Sequence, residues 1–288
     1  MMKKGISAML AATVLVTTAC TSQVSTEDNT MSLSNKDKAV ALLNSIETGD
    51  PQAAAYVNPD NYTQHNLAVA DGLAGFGAVL QALPVGSAKV DVKRAFQDGD
   101  YVFTHTDYNF FGPKAGFDVF RFEDGLIVEH WDNLAEKSVA NPSGRTQLDG
   151  PTAVRDLDKT DANKALVGDF VETILVKGDF AQLGRFIDDG DANYLQHNSA
   201  IADGLSGLGQ ALEAMAKQGI TMVYSQNHIV LGEGNFVLSI SEGSFAGKPV
   251  SFYDLFRIEN SKIVEHWDII EPILAKDAWK NNNGKFGF

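Results

Sequence analysis

The stretch Phe117-Asp118-Val119-Phe120-Arg121-Phe122-Glu123-Asp124-Gly125-Leu126-Ile127-Val128-Glu129-His130-Trp131-Asp132 decides the fold. Two β-rich runs flank an Asp-Gly turn signal, so the segment reads as an antiparallel hairpin. With Glu123-Asp124-Gly125 as a three-residue loop, Phe122 pairs with Leu126 and Asp118 with His130. Asp118, Phe120, Val128, His130 and Asp132 then line one side. With only Asp124-Gly125 in the loop, Asp118 would face Trp131 and Glu129, because a slip of one residue turns every side chain to the other face. Gly after Glu-Asp suits the position following a type I turn, so the first register is expected.

The same block returns as Asp254-Leu255-Phe256-Arg257 with Ile263-Val264-Glu265-His266-Trp267-Asp268, 136 residues on. A second block, Tyr62-Thr63-Gln64-His65-Asn66 followed by Ala70-Asp71-Gly72-Leu73, returns as Tyr194-Leu195-Gln196-His197-Asn198 and Ala202-Asp203-Gly204-Leu205, 132 residues on. One unit is written twice, and the drift of four residues is what loop insertions produce. Turn signals at Asn141-Pro142-Ser143-Gly144 and Asp149-Gly150-Pro151 place the boundary between the copies. The expected organisation is a signal peptide over 1–20, a tether over 21–34, a first domain over 35–138, a linker over 139–160 and a second domain over 161–288.

Within each copy helices precede strands. Ser34 can cap a helix through Ala39, Leu42, Leu43 and Ile46 that Gly49 ends, and Phe170, Val171, Ile174 and Leu175 repeat it up to Gly178. Asp71 and Asp203 can cap a second helix in each copy. Strand-like runs then follow from Lys89, Tyr101, Phe117 and Ile127. The expected class is α+β.

The chain has 288 residues, 44% of them hydrophobic, and 23 Lys+Arg against 37 Asp+Glu give a net charge of −14. That apolar content excludes a disordered chain, and so acidic a surface repels phosphate backbones, so no nucleic-acid partner is expected. The single cysteine, Cys20, excludes an internal disulfide and a cysteine-based zinc site. Lys3 and Lys4 lead an apolar run from Ile6 to Val16 that ends at Thr17-Thr18-Ala19-Cys20, the layout of a bacterial secretory signal. It resembles a lipoprotein signal, with cleavage before Cys20 leaving that thiol to carry lipid. The expected location is therefore the bacterial cell envelope, reached across the inner membrane and facing the periplasm, with membrane contact through the lipid anchor only.

A carboxylic acid among Phe117, Val119 and Phe120 can donate to a developing oxyanion or act as general acid or base, and the plainer alternative for Asp118 is a buried carboxylate tied to backbone N–H groups. His65 lies ahead of a helix start and either braces its loop or points into a pocket. His105 has Ile240 opposite it in the second copy, which leaves the first copy with the fuller set. The histidines and carboxylates could in principle ligate a transition metal. The chain shows no H-x-H, H-x-x-x-H or HExxH pair, so no metal and no other cofactor is expected.

These blocks look like the SnoaL-like family, in its predicted aldol condensation-catalysing branch, within the nuclear transport factor 2-like superfamily that includes ketosteroid isomerases. The resemblance covers both copies. It implies two tandem cone-shaped domains, each with N-terminal helices packed in a strongly curved antiparallel sheet around one apolar pocket. It places Asp118, and Asp254 in the second copy, at the position of the neutral carboxylic acid that completes the oxyanion hole of the isomerases. It matches His65, His105, His130 and Asp132 to pocket positions, with His197, His266 and Asp268 as counterparts. It also suggests that the copies pair through their sheets as an intramolecular pseudo-dimer, using the face that carries Val119, Ile127 and Trp131. The implied activity is proton transfer beside a carbonyl of a small apolar substrate, in aldol-type condensation, cyclisation or isomerisation. The rival reading is a non-catalytic binding module for a small hydrophobic ligand, and a third is an assembly role at the membrane.

Overall fold

Ser34 and Asp37 start the first helix by exchanging hydrogen bonds, the Ser34 Oγ accepting the Asp37 N–H at 3.1 Å and the Asp37 carboxylate accepting the Ser34 N–H. The structure, a computed structural model, describes Met1 and residues 33–84, 86–188 and 190–288. The leader with Cys20 and all but the last two residues of the tether lie outside the described residues, Met1 apart. Among the described residues no helix is long and apolar enough to cross a membrane.

The first half runs α1 (Asn35–Thr48), β1 (Thr63–Gln64), α2 (Gly72–Ala82), β2 (Lys89–Asp98), β3 (Tyr101–Asn109), β4 (Pro113–Glu123) and β5 (Leu126–Glu136). The second repeats the order with α3 (Thr160–Phe170, continued by a π-helical stretch Val171–Val176), β6 (Leu195–Gln196), α4 (Gly204–Lys217), β7 (Met222–Glu233), β8 (Phe236–Phe245), β9 (Lys248–Glu259) and β10 (Lys262–Pro272). Each half holds a five-stranded sheet, ordered β1-β5-β4-β3-β2 and β6-β10-β9-β8-β7. The fold is α+β, with helices ahead of the long strands in each half. The two-residue strands β1 and β6 pair parallel to β5 and β10, so the sheets are not purely antiparallel. Asp71 and Asp203 stand at the helix starts without capping them. Their carboxylates accept the N–H groups of Gln64 and Gln196 instead, at 2.9 Å each, and tie each helix to its short strand.

The deciding hairpin closes more tightly than expected. Glu123 pairs with Leu126, and Asp124 and Gly125 have φ of 50° and 75°, the left-handed pair of a type I′ turn. A β-bulge between Arg121 and Phe122 then inserts Val128, so Phe120 pairs with His130 and Asp118 with Asp132, not with His130. The turn and the bulge each shift the register by one residue in the same sense. Their sum is even, so Asp118, Phe120, His130 and Asp132 still share a face. Ile127 is the exception. It pairs with Phe122 and packs with Leu42, Leu43 and Val57 inside the cone, not with Trp131 outside it.

The outer faces of the two sheets pack on each other. Phe103, Phe117, Val119 and Trp131 share one buried core with Phe236, Leu238, Tyr253, Leu255 and Trp267. Contacts across this seam are reciprocal. Lys36 at the start of α1 pairs with Glu233 at 2.7 Å, while Lys164 of α3 pairs with Asp98, the residue at the matching hairpin of the first sheet. Two chain segments strap the seam in matching ways. Asn141 donates to the carbonyls of Gln196 and Ile201, and Asn281 donates to those of Asn66 and Val69. Asn141-Pro-Ser-Gly-Arg145 and Asn281-Asn-Asn-Gly-Lys285 are thus a third recurring block.

Candidate functional site

Strand alternation brings Asp118 from β4 and His130 and Asp132 from β5 to the concave face of the first cone, and Asp254, His266 and Asp268 to that of the second. In the first cone His130 Nε2 lies 3.2 Å from Asp118 Oδ1, and the Tyr108 hydroxyl donates to Asp118 Oδ2 at 2.6 Å. Thr104 donates to the same oxygen at 3.4 Å. Asp132 Oδ2 accepts from Asn66 Nδ2 at 2.7 Å. Asp132 Oδ1 is buried without a hydrogen-bond partner among the described residues, with the Lys285 ammonium 3.8 Å away.

The second cone repeats the arrangement. His266 Nε2 is 3.0 Å from Asp254 Oδ1, and Asn198 holds Asp268 at 2.7 Å. The Tyr224 hydroxyl lies 3.3 Å from both Asp254 oxygens.

Two carboxylates directly opposite each other on neighbouring strands repel, and low exposure deepens the cost: Asp118 is 4% and Asp132 6% exposed. Positive charge or protons must therefore reside in the cluster. In the first cone the orientation of Gln64 shows where. Its Oε1 accepts the Asn66 N–H at 2.8 Å, which fixes that atom as oxygen, and His130 Nδ1, 3.2 Å away, must donate to it. The Nε2 of a neutral imidazole then presents a lone pair to Asp118 Oδ1. One cation, a proton in the simplest case, has to lie between two acceptor atoms 3.2 Å apart. In the second cone Gln196 turns its amide nitrogen to His266 Nδ1 at 3.1 Å, leaving Nε2 to donate to Asp254.

The protonation energetics follow the geometry. Burial, reinforced by the Asp118 charge, pushes the Tyr108 hydroxyl well above the usual phenol range, and burial with Asp254 does the same to Tyr224, so both keep the proton they offer to their aspartates. Burial alone would lower His266, but its bond to Asp254 and the charge of Asp268 raise it. Burial and Asp254 raise Asp268 above the ordinary carboxylate value.

His65, His105 and His197 do not join these clusters. His65 stacks on Trp131 with ring centres 4.7 Å apart, donates to the Glu129 carboxylate over 2.9 Å, and meets the carbonyl of Gly284 at 2.8 Å. It braces the outer face against the C-terminal strap. His197 repeats this on Trp267, Glu265 and the Thr146 carbonyl. His105 pairs with Phe117, one residue out of phase with the Thr104–Asp118 pair, so it faces the seam. There it accepts from Arg94 at 3.1 Å, and burial together with the Arg94 and His197 charges keeps it well below the usual imidazole range. Ile240 occupies the matching place in the second sheet, paired with Tyr253, so the exchange of His105 for Ile240 leaves the second cluster intact.

Residues that sequence reasoning passed over complete both sites. Gln64 and Asn66 had a signal, because they flank His65 in the recurring block. They join His130 and Asp132, both expected from the sequence, whose two-residue spacing puts them on one strand face. Tyr108 had none, because its counterpart in the second sheet is Gly243, while Tyr224 stands where the first sheet has Val90. The clusters open narrowly to solvent, the His130 side chain keeping 12% of its surface. Two surface clefts, of about 540 and 270 Å³, are lined by other residues, the first by Lys93, Lys137 and Asp149 and the second by Asp188 and Arg257.

Residues 39–130 match the SnoaL-like domain family. That stretch runs from within α1 to the first half of β5 and includes Asp118 and His130 of the first cluster. No curated protein matches the chain. Among solved structures, the chain is similar to an NTF2-like protein of unknown function from Cytophaga hutchinsonii, at 16% identity over 37% of this chain and 94% of that one, TM-score 0.32. TsrD from Streptomyces laurentii aligns at 21% identity over 36% of this chain and 91% of its own, TM-score 0.30. An LEH-like epoxide hydrolase of M. tuberculosis aligns at 19% identity over 35% and 82%, TM-score 0.31.

Proposed function

We propose that the chain is an enzyme of acid/base proton transfer on a small carbonyl-containing apolar substrate, working inside its SnoaL-like cone. The observation that carries this is the Tyr108–Asp118–His130 chain with the unpartnered Asp132 Oδ1 beside it. A carbonyl oxygen set against that chain meets donors that strengthen as negative charge develops on it. Asp132 Oδ1 has free lone pairs to take the proton from the adjacent carbon. Phe120, Phe122 and Val102 of the same core supply apolar surroundings. Aldol-type condensation, cyclisation and isomerisation all begin with this step.

The step can be read without the natural substrate. In D2O, small apolar ketones should exchange their α-hydrogens faster with the full chain than without it, as followed by proton NMR. Asp132→Asn with Asp268→Asn should abolish the acceleration. Failure of every ketone, together with a hydrophobic molecule found by mass spectrometry on the purified protein, would replace the enzyme with a binding module.

We further propose that the two halves arose by tandem duplication and act as an intramolecular pseudo-dimer, on the strength of the recurring blocks and the reciprocal seam. We also propose a lipid anchor on Cys20 in the cell envelope, supported by the sequence of the leader. Detergent-phase partitioning of the expressed protein, lost in Cys20→Ala, tests the anchor.

A further inference from the structure

We propose that the Asp–His–Asp set of the first cone, Asp118, His130 and Asp132, binds one divalent transition-metal ion. The inference rests on the reading of the cone interior as the working site, and deepens it by naming the cation held there.

In each set three ligand atoms lie within 4.8 Å of one another. Two ligands about 2.1 Å from one ion lie roughly 3.0–3.4 Å apart at tetrahedral or octahedral angles. The imidazole–carboxylate separation of 3.2 Å in the first cone falls in that interval. In the first cone His130 Nε2 and Asp118 Oδ1 face each other as acceptors, and a lone proton is the smallest cation that relieves them. The buried and unpartnered Asp132 Oδ1 is the independent sign that something else is received: hydrogen bonds inside the cluster leave this atom unused, and an ion bridging the set would not. The surrounding contacts are those of a ligating histidine. His130 Nδ1 donates to Gln64 Oε1, which the Asn66 N–H holds in place, and Asn66 also orients Asp132. One imidazole and two carboxylates suit zinc, manganese or cobalt better than a hard cation such as calcium. With three protein ligands, coordination positions remain for water and a carbonyl oxygen, so the ion would polarise the carbonyl in place of the shared proton, and a water on the ion would take the α-proton in place of the ligated Asp132.

The two cones should not bind equally. In the second, His266 Nε2 already donates to Asp254 and both Asp268 oxygens accept from Asn198, so no lone pair is left facing another. Lys285, 3.8 Å from Asp132 Oδ1, opposes an ion in the first cone and should weaken its binding. The first cone alone should fill.

The test is calorimetric titration of the chelator-treated full chain with Zn²⁺, Mn²⁺ and Co²⁺, backed by elemental analysis after dialysis and by the visible absorption of Co²⁺. One equivalent per chain is expected in the parent and in Asp268→Asn and none in Asp132→Asn, with unchanged melting temperatures showing that the variants are folded. Binding that survives in Asp132→Asn, or none in the parent chain, overturns the proposal. Ketone exchange is scored separately. Exchange without metal binding sinks the ion and keeps the enzyme, and metal binding without exchange does the reverse.

Discussion

His65 gives the sharpest test of which histidines serve the site and which serve the seam. Replacing it with alanine removes the ring stacked at 4.7 Å on Trp131, the contact to the Gly284 carbonyl at 2.8 Å and the bond to Glu129 at 2.9 Å. A hydrogen bond to a charged group is worth about 1.5–3 kcal/mol and a ring pair about 0.5–1.5 kcal/mol. Glu129 keeps its partner Arg121 at 2.7 Å, which softens the loss, and neighbouring terms are not additive. The net cost should be about 2–4 kcal/mol. Urea unfolding followed by tryptophan fluorescence reads this directly, because Trp131 and Trp267 are buried on either side of the seam. With a denaturant slope of about 3 kcal/mol/M the midpoint should fall by roughly 1 M. Ketone exchange per folded molecule should be unchanged, as His65 does not touch the cluster. A loss under about 1 kcal/mol, or exchange abolished in a stably folded variant, would refute the assignment of His65 as a brace.

Tyr108→Phe should slow exchange in the first cone by removing the donor to Asp118, and Tyr224→Phe should affect only the second; Asp132→Asn and Asp268→Asn backgrounds separate the two rates. Gly243→Ala should destabilise the chain by more than about 2 kcal/mol in the same urea assay, because a β-carbon there would sit 1.9 Å from the Val223 carbonyl oxygen. The seam should weaken in acid. Burial pulls the Glu265 carboxyl upward, but the hydrogen bonds from His197 and Arg257 outweigh it and hold the group below the ordinary 4.5. A carboxyl that releases its proton more readily folded than unfolded adds stability above that ordinary value and forfeits it as pH falls through the folded one. The melting temperature should therefore drop from about pH 5 toward pH 3, with Glu265→Gln showing a flatter acid limb.

Much of the fold is legible because it rests on local periodicity. The helix from Ser34 follows from a capping serine and apolar positions at helical spacing, and the Asp118 face follows from strand alternation. The hairpin detail does not. A type I′ turn and a bulge are each set by twist and cross-strand packing, and only their sum appears in which residues share a face. The family resemblance puts His105 with the site, whereas its facing is fixed by how β3 pairs with β4, a register that the turn at Phe110-Phe111-Gly112 does not announce. Lys285 and Asn281 are read only in three dimensions, since the strap belongs to the second half in sequence and serves the first in space.

The tyrosines carry a wider consequence. Tyr108 and Val90 are cross-strand neighbours in the first sheet, and Gly243 and Tyr224 fill the same two places in the second with the bulky residue moved to the other strand. The hydroxyl reaches its aspartate from either side of the pair. What is kept is a point in space, so a search pattern written on one half would score the other as lacking its phenol, and relatives are better sought by where the oxygen ends up than by the column it comes from.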